Sequence, residues 1–534
     1  MSTRQTQPEL ISPGSDTPSS PPRLVAVIDI GTSAIRLAIG EITADGLTRT
    51  VDTLSQAVAI GKDTFTERKI SRSTIEDCVR ILTSYRVVLD SYGISNDDQL
   101  RCVATSAVRE AQNRLVFLDR IYIATQIQVE VLDESEVARI TFLGVQPMLK
   151  ADAHLSAARA FVVEVGGGNT EFLVVEHGQV TFSHSCSLGS LRLRKMMESL
   201  KTPIRKEREF LENQIDRFVS QALQQFRTDD GLPTELIALG GDFRFAVKEL
   251  APERVENSLA TIPIKTLQEF VDQMLPLSVD ELVHDYHLTF PDAETLGPAL
   301  LTMANIAQRL NADQIRVSDV NLRDGLLTEL ASDDIWSGDF RDHVISSAID
   351  LGTRYAFEET HARHVAELSG MLFDALQKHH RLDARSRVML TLAALLHEIG
   401  MFVSISAYHK HSMYLIQNSE LFGLSQLDLQ IVALVARYHR RASPKPTHAG
   451  YAGLSRQDRV VVSKLASILR VADALDRSYS QRIRDFTCAV QKDRLVITIP
   501  GVDDLSLEQI ALKQTAQLFE ETYGLSVLMR RSQS

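Results

Sequence analysis

The chain has 534 residues, 44% hydrophobic and 24% charged, which is ordinary globular composition in a chain too long for one core, so three or four domains are expected. Its 57 basic and 69 acidic residues leave a formal charge of −12; no nucleic-acid partner is expected, and a polyanionic ligand would be steered only by local patches. Cys78, Cys102, Cys186 and Cys488 lie far apart without a CxxC pair, which argues for a reducing compartment and against a zinc site, and no apolar run is long enough for a membrane span, so the cytoplasm is expected.

Residues 1–22, rich in Ser, Pro, Thr and Gln and without an apolar signal core, read as a disordered tail. A first α/β domain is expected over 23–150. It opens with VAVIDIGTSAIRLAIGEI, Val25 to Ile42: an apolar strand, the acid Asp29, a turn at Gly31, Thr32 and Ser33, and a second strand. A helix over Ser73–Tyr92 places Ile75, Val79, Leu82 and Leu89 on one side. RCVATSAVREA then reads as a strand entering a helix at Thr105 or Ser106, where a hydroxyl is an N-cap first and an anion contact second. IQVEVL is a further strand, and Asp133–Gly144 opens a helix crossing between halves.

A second α/β domain, 151–330, carries AFVVEVGGGNTEFLVVEHG. Apolar runs flank Gly166, Gly167, Gly168, Asn169 and Thr170, with Glu164 ending the first strand and Glu171 following the turn. Three glycines remove side chains so that backbone N–H groups can approach an anion. Alone, this stretch reads equally as a plain glycine hairpin. Its likeness to the Val25–Ile42 hairpin points instead to a duplicated domain clamping a ligand between its copies. A charged helix over Arg205–Phe226 follows, then ELIALGGDFRFAV, a strand, a Gly240-Gly241 turn and a helix suited to a phosphate edge; VSDVNLRDGLLTEL closes this half near Leu330.

From 331 to 480 the texture is nearly all helix, with His361, His364, His397, Glu398, His409, His411, His439 and Asp473 scattered through it. Residues 481–534 give CAVQKDRLVITIP, a helix over Leu505–Tyr523 and the strand LSVLMR, a small α/β cap. Basic groups at Arg192, Arg194 and Lys195, at Lys201 to Arg208, and at Arg437, His439, Arg440 and Arg441 each read singly as solvated faces; the last is densest and suits repeated phosphates.

The two hairpins resemble the phosphate-binding hairpins of the acetate and sugar kinase, actin and heat-shock chaperone superfamily. More closely, the chain resembles the exopolyphosphatase / guanosine pentaphosphate phosphohydrolase (Ppx/GppA) family, through VAVIDIGTSAIRLAIG, RCVATSAVREAQN, LDESEVARITFLGV, VVEVGGGNTEFLVV and IALGGDFRFA in order, with HSMYLIQNSE and LVARYHRR beyond. The resemblance implies two ribonuclease H-like (actin-like ATPase) α/β domains, an all-helical HD-like domain and a small α/β C-terminal domain. It implies a phosphohydrolase acting on inorganic polyphosphate or guanosine pentaphosphate with Mg²⁺ organised by Asp29 and Glu164. Phosphate would be held by Gly31, Thr32, Ser33, Arg109, the Gly166–Thr170 turn, Gly240 and Gly241, a polyanion channel would run past Arg437, His439, Arg440 and Arg441, and a homodimer is plausible. HARHVAELS, LLHEIG and LRVADALD resemble the metal-dependent HD phosphohydrolase helices, although in this family that domain is commonly a metal-free relic.

Four positions depart from the family pattern. Ser33 replaces Asn, Glu164 replaces Asp, Asp242 follows Gly240-Gly241 where Thr is usual, and Val137 stands where the second Glu of Glu-Glu-Ala-Arg activates water. Glu136 or Glu171 would be a stand-in base, Glu136 only after a register shift, because neighbours on a helix point ~100° apart. Two functions follow: a hydrolase, or a catalytically weak polyphosphate or nucleotide sensor. Val137 either packs into the interdomain seam or points into the phosphate cleft.

Overall fold

Apart from Asp29, the run Val25–Ile30 is wholly apolar, as a strand covered on both faces must be. In a computed structural model, which describes residues 22–43, 46–94, 98–200, 204–223, 231–251, 259–332, 336, 338–440 and 442–532, it lies at the centre of a sheet. The segment 1–21, Lys201, the expected helix end at 224–226 and Arg441 lie outside those residues. Strands β1 (Arg23–Ile30), β2 (Ala34–Ile42) and β3 (Thr48–Ala57) are antiparallel, and β4 (Leu100–Ala104) and β5 (Val129–Val131) add in parallel, giving the order β3-β2-β1-β4-β5. Alternation along β1 divides its two faces. Ala26, Ile28 and Ile30 pack with Ile75, Cys78, Leu82 and Leu89 of helix Arg72–Ser91, whereas Val25 and Val27 pack with Leu322 and Leu326 of helix Leu322–Ala331.

The second sheet repeats the plan. Strands β6 (Arg159–Val165), β7 (Thr170–Glu176) and β8 (Gln179–Cys186) form the antiparallel meander, β9 (Thr234–Leu239) adds in parallel to β6, β10 (Ala260–Pro263) is an antiparallel edge, and β11 (Gln314–Val317) lies parallel to β9, in the order β10-β11-β9-β6-β7-β8. One face of β6, with Phe161, Val163 and Val165, packs on that half's own helices. The other, with Ala160 and Val162, shares its core with the helices that run from Gly338–Arg354 to Arg456–Leu475. The chain ends in a three-stranded sheet, β12 (Thr487–Gln491), β13 (Arg494–Ile499) and β14 (Ser526–Arg531). The helix expected over Leu505–Tyr523 is two, Ser506–Thr515 and Gln517–Tyr523, with Ala516 between.

Two helices join the halves. Glu134–Ala151 leaves the first sheet with a capping box at its start: Asp133 accepts from the Glu136 amide at 2.9 Å, and the Glu136 carboxylate accepts from the Asp133 amide at 3.0 Å. Leu322–Ala331 returns from the second half and packs on β1, so it covers the first sheet rather than closing the second half. The pair approach so closely that a Cβ on Gly325 would collide with the Ile140 carbonyl.

Where they meet, buried Glu329 pairs with Arg101 of β4 and, at 2.7 Å, with Arg139 of the crossing helix. Burial lowers Arg139 to about 10, and the neighbouring charge of Arg101 adds to the fall. Glu329→Leu is expected to cost about 3–5 kcal/mol by stranding the buried Arg139 guanidinium, while Arg101 keeps Glu130 at 3.0 Å. Urea unfolding followed by circular dichroism checks this, with Glu329→Leu/Arg139→Met recovering part of the loss.

Candidate active site

The two hairpin turns are built alike. The Gly31 amide donates to Ala34 O at 3.0 Å, and the Gly166 amide donates to Asn169 O at 2.9 Å. In each, the turn carbonyls are tied down by the start of the next helix: Gly61 N–H reaches Thr32 O at 2.8 Å, and Ser190 and Leu191 N–H reach Gly166 O and Gly167 O at 2.9 and 3.0 Å. Among the described residues nothing accepts from the amides of Thr32, Ser33, Gly167 or Gly168. Those amides border a cavity of about 310 Å³ between the ends of β1 and β6. Backbone N–H groups without a partner, gathered from two turns, make an anion cradle. The turns also touch each other. A Cβ on Gly167 would lie 2.5 Å from Thr32 Oγ1, and one on Gly168 2.5 Å from Ser106 Oγ and 2.6 Å from Phe65. Glycine is required there by close approach.

The cavity brings together Asp29, Gly31, Thr32, Ser33, Arg109, Glu164, the turn Gly166 to Asn169, Glu171, Gly240 and Gly241. Gly240, at φ 119°, turns β9 into helix Gly241–Leu250, whose N-terminus adds positive potential. Thr170 is not on the wall: its buried hydroxyl donates to Leu188 O. Glu136 is absent too, because its carboxylate is occupied in the helix cap, and the expectation that it replaces the missing base is corrected. Val137 does line the cavity, at 8% exposure, while packing with Ile140, Leu322 and Leu326, so the two sequence readings of it meet in one position.

Three arginines on the wall were missed from the sequence: Arg36, Arg244 and Arg323. Arg36 was readable, since β1 and β2 pair Asp29 opposite Arg36. Arg323 approaches Asp29 Oδ2 at 3.5 Å, a contact spanning nearly the whole of both halves and invisible to local pattern. Burial raises the Asp29 carboxyl against the pull of Arg36 and Arg323. Burial also raises Glu164, and the charge of Asp29 adds to the rise while Arg244, Arg36 and Arg323 oppose it. A buried and a half-buried carboxyl that repel each other fit a hard divalent cation, whose charge would favour the ionised form of both.

Glu171 pairs in register with Glu164 across β6 and β7. Burial pushes it up to about 8 in spite of a hydrogen bond from Ser185 Oγ at 2.8 Å, itself held by Asn169 Nδ2 at 3.0 Å. Asp242, also on the wall, is pushed up to about 7 by burial, against a hydrogen bond from Thr295 Oγ1 at 3.1 Å. A folded-state value above the unfolded one gives stability that is present at low pH and lost as pH rises through about 7. Asp242→Asn is therefore expected to raise the melting temperature more at pH 8.5 than at pH 5.5. Phosphate affinity in the parent should weaken between pH 6 and 8 as a carboxylate forms beside the anion, and calorimetry on the Asn variant should show that slope flattened.

A second cavity, about 520 Å³, adjoins the first and shares Arg109 and Glu171 with it. It runs between β8 and the helical domain, past Arg354 and His184 but also Asp133, Glu134, Asp350 and Glu420. Of the expected channel residues, the described ones, Arg437, His439 and Arg440, border neither cavity. His439 is 1% exposed and burial lowers it to about 3, so it is a neutral core imidazole and the expected polyanion contact is corrected. Arg440 stacks over the Tyr408 ring at 4.8 Å, and Arg437 lies over Tyr438 at 5.5 Å. Arg192, read as a solvated basic group, clamps the halves: its Nε donates to Gly168 O at 2.6 Å and its other end pairs with Glu110.

The sequence model of the Ppx/GppA phosphatase family matches residues 29–333, and that of the family's domain III matches 345–521. The chain belongs to the Ppx/GppA phosphatase family. It is accordingly a hydrolase. Ppx/GppA relatives include the guanosine-5'-triphosphate,3'-diphosphate pyrophosphatases of Aeromonas hydrophila, 25% identical over 90% of this chain and 92% of that protein, and of Photobacterium profundum, 22% identical over 93% and 97%. An exopolyphosphatase structure from Cytophaga hutchinsonii shares the fold, with TM-score 0.51 and 23% identity over 58% of this chain and 98% of its own. Among the described residues no helix is long and apolar enough to cross a membrane.

Proposed function

We propose that the chain hydrolyses the terminal phosphoanhydride of guanosine pentaphosphate. The observation that carries this is one cavity holding two glycine turns with partnerless amides and four guanidiniums, those of Arg36, Arg109, Arg244 and Arg323. Amides and guanidiniums bind the phosphate oxygens and stabilise charge spread over them, which is most of what phosphoryl transfer asks of a protein. Asp29 and Glu164 would hold Mg²⁺, which when bound neutralises phosphate charge. Glu171 takes a proton from the attacking water as its oxygen bonds to the terminal phosphorus and the bridging P–O bond breaks, releasing orthophosphate.

The adjoining cavity favours a short polyanion over a long one. Any chain of phosphates leaving the cleft past Arg109 would meet Asp133, Glu134, Asp350 and Glu420 with only Arg354 and His184 to offset them. Long inorganic polyphosphate is the second reading, favoured by the continuity of the two cavities. A sensor without turnover rests on the departures at Val137 and Asp242, both on the cavity wall. Phosphate release from guanosine pentaphosphate, tripolyphosphate and long polyphosphate, each with Mg²⁺ and with EDTA, tests the proposal. Higher kcat/KM on the nucleotide is expected; preference for the longest chain would favour the second reading, and no release from any would leave the sensor.

A further inference from the structure

The helical domain carries an exposed apolar loop beside a group of unpaired cations, neither of them on the wall of the phosphate cavity. The loop runs through and beyond the short 3-10 helix Ile399–Phe402. Phe402 is 62% exposed, Val403 54% and Ile405 80%, and Met401 is open to solvent as well. Single apolar side chains on a surface are ordinary, but four within five residues are not. The loop is firmly built. The Val403 and Ser404 amides donate to Gly400 O at 3.1 and 3.2 Å, and the Gly400 amide donates to Ser412 Oγ at 2.9 Å. Gly400 lies so close to helix Tyr408–Gln417 that a Cβ there would collide with the Tyr408 carbonyl.

The same helix carries Lys410 and Tyr414, one turn apart on the side away from buried Tyr408, Ser412 and Ile416; both are exposed. Arg437, Arg440 and Lys445 stand around it. Arg440 lies over the Tyr408 ring at 4.8 Å, and Arg437 Nη1 meets Met413 Sδ at 3.5 Å. The four charges act together: His409 is lowered by burial and then by Arg440, Lys410 and Arg437, and His448 by burial and then by Arg437, Lys445 and Lys410. Among the described residues none of these four cations pairs with a carboxylate. Local sequence supplies none, since no acid occurs between Glu398 and Glu420 or between Asp428 and Asp458. Glu398 itself is held by the Tyr479 hydroxyl at 2.9 and 3.0 Å and that of Tyr408 at 3.3 Å. In a chain of formal charge −12 this is a concentrated positive face.

We propose that this face docks on an anionic lipid bilayer, with Phe402, Val403 and Ile405 entering the boundary between headgroups and acyl chains while Lys410, Arg437, Arg440 and Lys445 meet lipid phosphates. Stable attachment to a membrane surface takes two signals, apolar burial and charge, and this face carries both. A polyanion such as RNA would use the cations but leave the apolar side chains in water. A second copy docked through the same face about a two-fold axis would bring like charges together and be repelled. Docking of this kind needs no membrane-spanning helix and is independent of the proposed reaction in the cleft.

The test is co-sedimentation of the full chain with vesicles of phosphatidylcholine alone and of phosphatidylcholine with about 30% phosphatidylglycerol, at low salt and in about 0.5 M NaCl. Partition onto the anionic vesicles is expected to exceed that onto phosphatidylcholine by about tenfold or more, and to fall at high salt. Phe402→Ser with Ile405→Ser should weaken it by about tenfold or more, as should Lys410→Gln with Lys445→Gln, with melting temperature and phosphate release unchanged. No sedimentation with anionic vesicles would overturn the proposal, as would equal partition onto both vesicles or unchanged partition in both double variants. RNA retained without vesicle binding would assign the cations to nucleic acid, and a dimer lost in Phe402→Ser/Ile405→Ser without vesicle binding would assign the loop to a second copy; either result overturns the proposal. The parent comparison decides even where a variant fails to fold.

Discussion

Glu171→Gln is expected to lower kcat for phosphate release by ~10²–10⁴-fold while leaving KM nearly unchanged. The carboxyl stands where the phosphate cavity opens into the second cavity, on the wall of both. Gln keeps the size and still accepts from Ser185, whose hydroxyl now donates to Glu171 Oε1, so the fold around it is preserved. What it removes is the ability to accept a proton. Burial raises Glu171 to about 8, near the pH at which the enzyme would work, which is where a proton acceptor is most effective. Steady-state kinetics on the Gln variant checks this, with Glu171→Asp restoring part of kcat if proton transfer is the lost function. An unchanged kcat would remove Glu171 from the reaction. A raised KM with normal kcat would make it a binding group instead.

Much of the fold could be read from local pattern because the decisive elements are short and strongly marked. Alternating or continuous apolar runs beside glycine turns specified both hairpins, and the crossing helix expected from Asp133 begins at Glu134. What the sequence concealed is long-range. Helix Leu322–Ala331 has the same apolar content whichever sheet it covers, and only the packed chain shows Leu322 and Leu326 against Val25 and Val27. Arg323 reaches Asp29 for the same reason, since it rides on that helix. The basic run ending at Arg441 misled because charge density in sequence says nothing about direction: helix Gln426–Arg437 ends there, His439 turns into the core, and Arg440 lies over Tyr408. Glu136 misled differently. A capping carboxylate and a catalytic one look alike in sequence, and the reciprocal bonds at Asp133 decide between them.

Val137→Glu is expected to raise phosphate release by ~10²-fold or more at a modest cost in stability. Val137 has one side on the cavity and the other against Ile140, Leu322 and Leu326. Replacing it removes some apolar contact, worth about 1–2 kcal/mol, but the longer side chain can carry its carboxylate into the cavity, toward water and the guanidiniums of Arg36 and Arg109. A charge delivered there is solvated and paired, not stranded in the core. The variant also measures how far Glu171 serves as base. If the new carboxylate takes over proton transfer, adding Glu171→Gln in the Val137→Glu background should cost much less than in the parent, a non-additivity readable from a double-mutant cycle. Additive losses would mean that the two carboxylates act on separate steps. A folded variant with no gain would mean that the base does not limit the parent rate, and the departures at Ser33, Glu164 and Asp242, all on the same cavity wall, would then be the next to reverse.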